Sequence, residues 1–415
     1  MAVIEAGPDR SDPVIRSLTD DAAVLPIGPD SPVARRYRSA LTGTESADVV
    51  RGSVLGGSGA VNGGYFCRAL PTDFDDAPLG WSWIDVEPHY RAVETLVAAR
   101  PQHDFAPATA AFAAAAGDAG FRWLPDLNTA GGPGVGAVPL NIAGGIRRGP
   151  GAVFLEPALA RPNLTVLTET RATGLVISGG RVRGVAARGP HGAISVSADR
   201  VVLAAGAVES AHLLMLSGIG PACPLRALGV TVVADLPVGQ STQDHPEWVA
   251  TTGWPGAAGH PVLEAVLLDG ELEIRPYTTG FGSEVTTIGI ALMRPRSRGR
   301  VTLVSADPSV PPQIEHRYDS EPADTAELRR GWELVAEILD GATALGAPAR
   351  STSQHLCGTA PMGTGEQSVV DSRCRVHGVG GLSVIDGSVL PRIPGRGPHA
   401  TIAMLAHRAA EFLRS

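Results

Sequence analysis

Apolar and polar positions alternate in some stretches of the chain and recur at helical spacing in others. Residues 161–189, RPNLTVLTETRATGLVISGGRVRGVAARG, alternate and break at Gly179-Gly180, which predicts two strands joined by a tight turn. VSADRVVLAAGAVES follows, predicting a buried apolar strand that runs into Gly206 and then a helical HLLMLSGIGP. Between 246 and 345, EWVATTGW, VLEAVLLDGELEIRPY, EVTTIGIALM and GRVTLVS read as antiparallel strands. ADTAELRRGWELVAEILDGATAL carries apolar residues at helical spacing and reads as an amphipathic helix. Residues 76–130 are expected to be mostly helix, the Ala-rich run 108–119 giving a tight packing surface. The chain opens on AVIEAG: a short apolar run, an acid, then glycine.

Composition narrows the class. With 415 residues and 44% hydrophobic content, there is enough chain for two domains or one large α/β unit with an insertion. Every basic side chain is arginine. The net charge of -8 with only 18% charged residues argues against a nucleic-acid partner. Cys67, Cys223, Cys357 and Cys374 form no Cys-x-x-Cys pair and no metal-like cluster with histidine, which fits a reduced, cytoplasmic protein and no metal site. No apolar run reaches transmembrane length; peripheral association with a membrane stays compatible with the sequence.

Three features suggest chemistry. In a dinucleotide-binding βαβ unit, the second strand ends in an acid that accepts hydrogen bonds from ribose hydroxyls, and Glu5 fits that place. The glycine-rich fingerprint belongs about 20 residues before such an acid. The chain therefore reads as starting after the first strand, phosphate loop and helix of that unit. Ala-Ala-Gly206-Ala at the end of a buried strand is a typical close approach of backbone to a dinucleotide. His355 and His399 bracket a short apolar strand ending in Asp386-Gly387, an arrangement that suits a catalytic pair beside a cofactor. Two unrelated core or surface histidines would look the same in isolation. Arg294, Arg296, Arg298 and Arg300 read as a solvated turn in preference to a substrate contact.

Ordered motifs resemble the glucose-methanol-choline (GMC) flavoprotein oxidoreductases over nearly the whole chain. RGSVLGGSGAVNGG (51–64) resembles the first family signature, and Gly206 to Pro221 the second, with Ala211 where Pro is usual. Val238–Pro246 resembles the Val-Gly-x-x-Leu-x-Asp-His element, with Thr242 in the Leu place. His355, Gly358, Thr359, Met362 and Gly363 match a His-x-x-Gly-Thr-x-x-Met-Gly run. Asp386 and Ser388 match a strand end, and Gly397-Pro398-His399-Ala400-Thr401 a turn that usually opens with Asn.

The resemblance implies an α/β fold: a Rossmann-like FAD-binding domain, here N-terminally truncated, with a second α+β substrate domain on an antiparallel sheet. It divides the chain into an FAD domain from 1–75, 149–245 and 346–415, a helical cap region at 76–148 and a substrate domain at 246–345. It implies non-covalent FAD, because Val61 stands where some members carry the histidine that links to flavin. Gly56, Gly57, Ser58, Asn62 and Gly63 would line the flavin and its phosphates. Ala172 would meet the adenine, Glu5 the ribose, and Gly206, Asp386, Gly387, Pro398 and Thr401 complete the cofactor set. His355 would act as general base and His399 would donate a hydrogen bond to the substrate oxygen. The implied reaction is oxidation of a small-molecule alcohol, by a dehydrogenase passing electrons to a carrier or quinone; oxygen as acceptor stays open. The short chain also resembles members that oxidise the reduced redox peptide mycofactocin. Two alternatives stay open: a flavin-containing hydroxynitrile lyase, and a non-catalytic homologue unable to bind FAD.

Overall fold

The computed structural model describes residues 1–129 and 131–414; Ala130, the last residue of the stretch expected to be mostly helical, and Ser415, at the end of the C-terminal segment, lie outside the described residues. The architecture is mixed α/β. Its largest element is a seven-stranded sheet in the order 349–352, 246–255, 285–292, 272–276, 265–269, 134–137 and 123–124. Most pairings are antiparallel, as the alternation predicts, with Leu267 opposite Ile274 and Trp248 opposite Ile290. The helix Pro322–Ile338 buries Leu328, Gly331, Val335 and Ile338 against this sheet. At Gly331 a Cβ would lie 2.6 Å from Ile290 Cγ2, so only glycine lets helix and sheet come this close.

The cofactor side is built from shorter pieces. Ala2–Ile4 pairs in parallel with Thr165–Leu167, and Val201–Leu203 pairs in parallel with Leu382–Val384. The predicted hairpin forms: Arg171–Ser178 and Arg181–Gly189 are antiparallel across Gly179-Gly180, and Gly192–Ser197 adds a third strand. The helix Gly206–Leu216 begins at the strand end, as expected. Another four-stranded sheet runs 300–302, 313–315, 34–40, 46–52 and leads directly into the Gly56-Gly57 loop. Among the described residues, no helix is long and apolar enough to cross a membrane.

Several expectations are corrected. Arg300–Thr302 is the antiparallel strand expected, but its partner is Gln313–Glu315, which links it to the Ala34–Ala40 strand and not to the large sheet. The helix predicted through HLLMLSGIGP stops at Leu216, because Gly218 takes φ 80° and Ile219-Gly220 pairs with Ala234-Asp235. Among the described residues, the stretch 76–148 holds the helices Trp83–Val97 and Pro107–Asp118, and the rest is turns, loops and short strands. Two of these, 123–124 and 134–137, extend the large sheet. The arginine turn is solvated, as read from the sequence: Arg296, Arg298 and Arg300 are exposed, while Asp324 holds the turn by accepting the backbone N–H groups of Arg296 and Ser297 and Arg300 pairs with Glu315.

Candidate active site

The strand Ser46–Gly52 delivers the glycine loop. Gly56 has φ 101° and packs so closely on Gly151 that a Cβ would lie 2.6 Å from its nitrogen. Gly57, at φ 55°, faces open space. The Ser58 hydroxyl accepts the Gly52 N–H at 3.0 Å and closes the loop. Beyond it, Asn62 and Gly63 are half-buried. The buried Arg147 holds this turn from behind by donating to the carbonyls of Asn62, Thr19 and Val24.

His355 sits at the far end of a chain of imidazoles. The Pro394 carbonyl accepts only N–H, so His245, 3.1 Å away through Nε2, carries its proton there. The His245 Nδ1 is then a bare acceptor, 2.8 Å from His355 Nδ1, which must donate. That leaves His355 Nε2 with a free lone pair, the state a general base requires. Burial pushes the His355 pKa well below 6.5, with His245, Arg275 and Arg51 adding to it. Burial and Arg275 likewise lower His245 to about 3. Asp244 fixes the backbone by accepting the N–H groups of His245 and His355, each at 2.8 Å. Gln354 has φ 64°, and its side chain accepts from Val50 N–H at 2.9 Å and donates to the Asp48 carbonyl at 3.0 Å. This clamp docks the histidine segment onto the strand that precedes the glycine loop.

His399 is held in the opposite tautomer. The Asn62 carbonyl oxygen accepts the Gly64 N–H, which turns its NH2 group towards His399 Nδ1 at 3.0 Å. Nδ1 therefore accepts and Nε2 carries the hydrogen. This Nε2 is buried without a partner. Burial lowers the His399 pKa to about 4 and the Tyr65 carbonyl acts the other way, so the ring is neutral at pH 7. His399 also opens the helix His399–Arg414, whose first turn presents unpaired N–H groups and a partial positive charge. The two histidines share neighbours. A Cβ on Gly397 would lie 3.0 Å from the Tyr65 ring and 3.5 Å from His355 Cε1, two residues before His399.

The other expected cofactor residues fall into two groups. Gly206, at φ 80°, faces open space at the helix start. Glu5 ends its strand half-buried, one oxygen accepting the Gly7 N–H at 2.8 Å, and burial raises its pKa. Ala172 lies in the hairpin beside a register shift. Asp386 instead ties strand ends together. One oxygen accepts Gly206 N–H and the Ser210 hydroxyl, and the other accepts from Ser388 N–H and hydroxyl. Gly387, Pro398 and Thr401 are buried; the Thr401 hydroxyl bonds Tyr90 at 2.7 Å and anchors the C-terminal helix.

Four residues were not singled out from sequence: His245, Arg147, Gln354 and Tyr65. Only His245 had a signal, the Asp244-His245 pair inside the Val238–Pro246 motif. Arg147 and Gln354 act through backbone groups far away in the chain, which no local pattern reports.

The donors fit FAD. Open positive-φ glycines at 57 and 206 let a large planar or phosphorylated group reach backbone, and the orphaned His399 Nε2–H and the helix start are donors that a polar oxygen or nitrogen of the cofactor or substrate would satisfy. Family models for GMC oxidoreductases match residues 38–247 and 295–406. An uncharacterized GMC-type oxidoreductase of Rhodococcus erythropolis is 38% identical, over 94% of this chain and 88% of that protein. An oxygen-dependent choline dehydrogenase of Brucella anthropi is 30% identical, over 89% of this chain and 83% of that protein. The fold of pyridoxine 4-oxidase from Mesorbium loti superposes with a TM-score of 0.89 at 24% identity, covering 100% of this chain and 94% of that one. Opposed histidine tautomers beside a glycine cradle thus occur within two matched halves of one family pattern, and the chain belongs to the GMC oxidoreductases, a family of FAD-binding enzymes.

Proposed function

We propose that this protein oxidises the CH–OH group of an alcohol, with His355 as general base and His399 as hydrogen-bond donor to the same oxygen. The observation that carries the reading is the pair of complementary imidazoles: a bare Nε2 on His355 and a protonated Nε2 on His399. Bound FAD, held without a covalent link, supplies the hydride acceptor. Gly56, Gly57, Ser58, Asn62 and Gly63 would hold its ring side, and Glu5, Ala172 and Gly206 its adenosine side. Val61, just before Asn62, is buried and cannot form a covalent link to flavin.

His355 Nε2 takes the hydroxyl proton as negative charge grows on the substrate oxygen. The His399 Nε2–H stabilises that charge from the other side, and the start of the C-terminal helix adds a favourable field. Both rings are buried in part and neutral at pH 7, so each meets the alcohol in its working state. Electrons leave towards a carrier or quinone. Choline, the substrate named for relatives at 30% identity, is one alcohol to consider.

The test is His355→Ala in anaerobic stopped-flow with a bleaching alcohol. Flavin reduction should slow by roughly 10²–10⁴-fold, the usual size of a general acid–base contribution. An unchanged rate constant removes His355 from the role. Aldehyde release without any bleaching would favour a lyase.

A further inference from the structure

Beside His355 lies a buried cluster of charged side chains that the reaction itself does not use. Glu273, Arg275 and Tyr277 alternate along one strand and its end, so their side chains share a face of the large sheet. Glu247 comes to the same face from the Pro246–Pro255 strand, two residues after His245. The strand between them makes room with Gly289, where a Cβ would lie 2.0 Å from Glu247 Oε1. Tyr65, whose ring lies against Gly397, adds its hydroxyl from the glycine-loop side.

Every carboxylate oxygen in this cluster has a donor. Glu247 Oε1 accepts from the Tyr277 hydroxyl at 2.8 Å; its Oε2 accepts from Arg275 at 3.1 Å and from the Ser353 hydroxyl at 2.8 Å. Glu273 Oε1 accepts from Arg275 Nε at 2.8 Å, and its Oε2 from the Tyr65 hydroxyl at 2.8 Å. Glu247, Glu273 and Arg275 are 2%, 0% and 3% exposed, so water does not screen their charges. Arg396, also buried, faces Tyr65 and Glu273, and its Nε has no partner. Asp244, which accepts the His355 backbone N–H, is matched by Arg51. Three acids are thus balanced by three guanidiniums, and the polar group left over is a donor.

We infer that this wall selects an uncharged alcohol over a cationic one, with Arg275 as the specificity-determining residue. The inference rests on the alcohol oxidation proposed above and names its substrate class. A quaternary ammonium has no hydrogen to donate; it needs an uncompensated carboxylate or an open aromatic cage. Here both carboxylates are saturated by Arg275, Ser353 and the tyrosines, so a cation brought beside His355 would lose hydration without gaining a free counter-charge. An uncharged alcohol has no such cost and leaves the ion cluster intact.

A matched pair of alcohols tests this: choline and 3,3-dimethylbutan-1-ol, equal in shape and different by one charge. Each is titrated anaerobically into the FAD-loaded protein, and affinity is read from the change in flavin absorbance, by perturbation or by bleaching. The neutral alcohol should bind at least tenfold tighter. Equal or tighter binding of choline overturns the inference. Arg275→Met frees both carboxylates and should shift the ratio at least tenfold towards choline; a folded variant with an unchanged ratio overturns the role of Arg275. Should that variant not fold, Tyr277→Phe frees Glu247 Oε1 alone and should shift the ratio the same way; no shift again counts against it. Failure of the oxidation itself is a separate reading, in which alcohols of neither charge bleach the flavin while the two affinities still differ.

Discussion

Replacing His245 by phenylalanine probes the imidazole chain without touching the reacting atoms. Phenylalanine keeps the ring volume at a fully buried position but removes the acceptor for His355 Nδ1–H and the donor to the Pro394 carbonyl. His355 then has no reason to keep its proton on Nδ1, and the tautomer protonated on Nε2 cannot act as a base. The bias lost is that of one buried hydrogen bond, about 1–3 kcal/mol. At about 1.4 kcal/mol per tenfold in rate, this corresponds to a loss of roughly 5–150-fold. Glutamine offers both an acceptor and a donor, so His245→Gln should recover most of the rate. The assay is the rate constant for anaerobic flavin reduction as a function of pH. Because His245 also depresses the His355 pKa, its removal should move the acid limb of the profile upwards. A phenylalanine variant with bound flavin, the wild-type rate and an unmoved acid limb would refute the tautomer argument. A glutamine variant as slow as phenylalanine would reduce His245 to a packing residue.

Three further outcomes are expected. His399→Asn should retain more activity than His399→Ala, because asparagine can still donate to the substrate oxygen; equal losses in kcat/KM would remove that role. Acid precipitation of the FAD-loaded protein should leave the yellow colour in the supernatant, and flavin in the pellet would contradict non-covalent binding. His245 and His399 have folded pKa values of about 3 and about 4, below the ordinary 6.5. The unfolded chain therefore takes up protons that the native state refuses, and the stability these neutral rings contribute above pH 6.5 is lost as the pH falls from there towards 4. Melting temperatures followed from pH 7 to pH 4 check this: a His245→Gln variant should lose less over that interval than the wild type.

What the sequence revealed depended on whether the cause was local. The hairpin at Gly179-Gly180 was legible because turn chemistry and alternation lie in one window. Both catalytic candidates were legible because each stands in a motif with fixed neighbours. The destination of Arg300–Thr302 was not, since its alternation suits any sheet and the sheet it enters through Gln313–Glu315 is built on Ala34–Ala40, far away in the chain. The end of the Gly206–Leu216 helix was misjudged because Gly218 turns the backbone where apolar spacing continues. His245 stood in a motif, but its bond to the Pro394 carbonyl, 149 residues on, has no local signature. The Glu273-x-Arg275 spacing alone does not mark Arg275 as the centre of an ion cluster, because Glu247 and Ser353 reach it from two other segments.

Gln354 bears on how the enzyme comes into being. Its left-handed backbone costs about 1–3 kcal/mol on its own, and it is held by bonds to a strand 304 residues earlier in the chain. The segment that carries the base is therefore not docked beside the glycine loop until these two distant stretches have met. Such distant closures are slow, since the entropy of the intervening loop is lost before the contact rewards it. In refolding, flavin-reducing competence should thus return with the slowest phase.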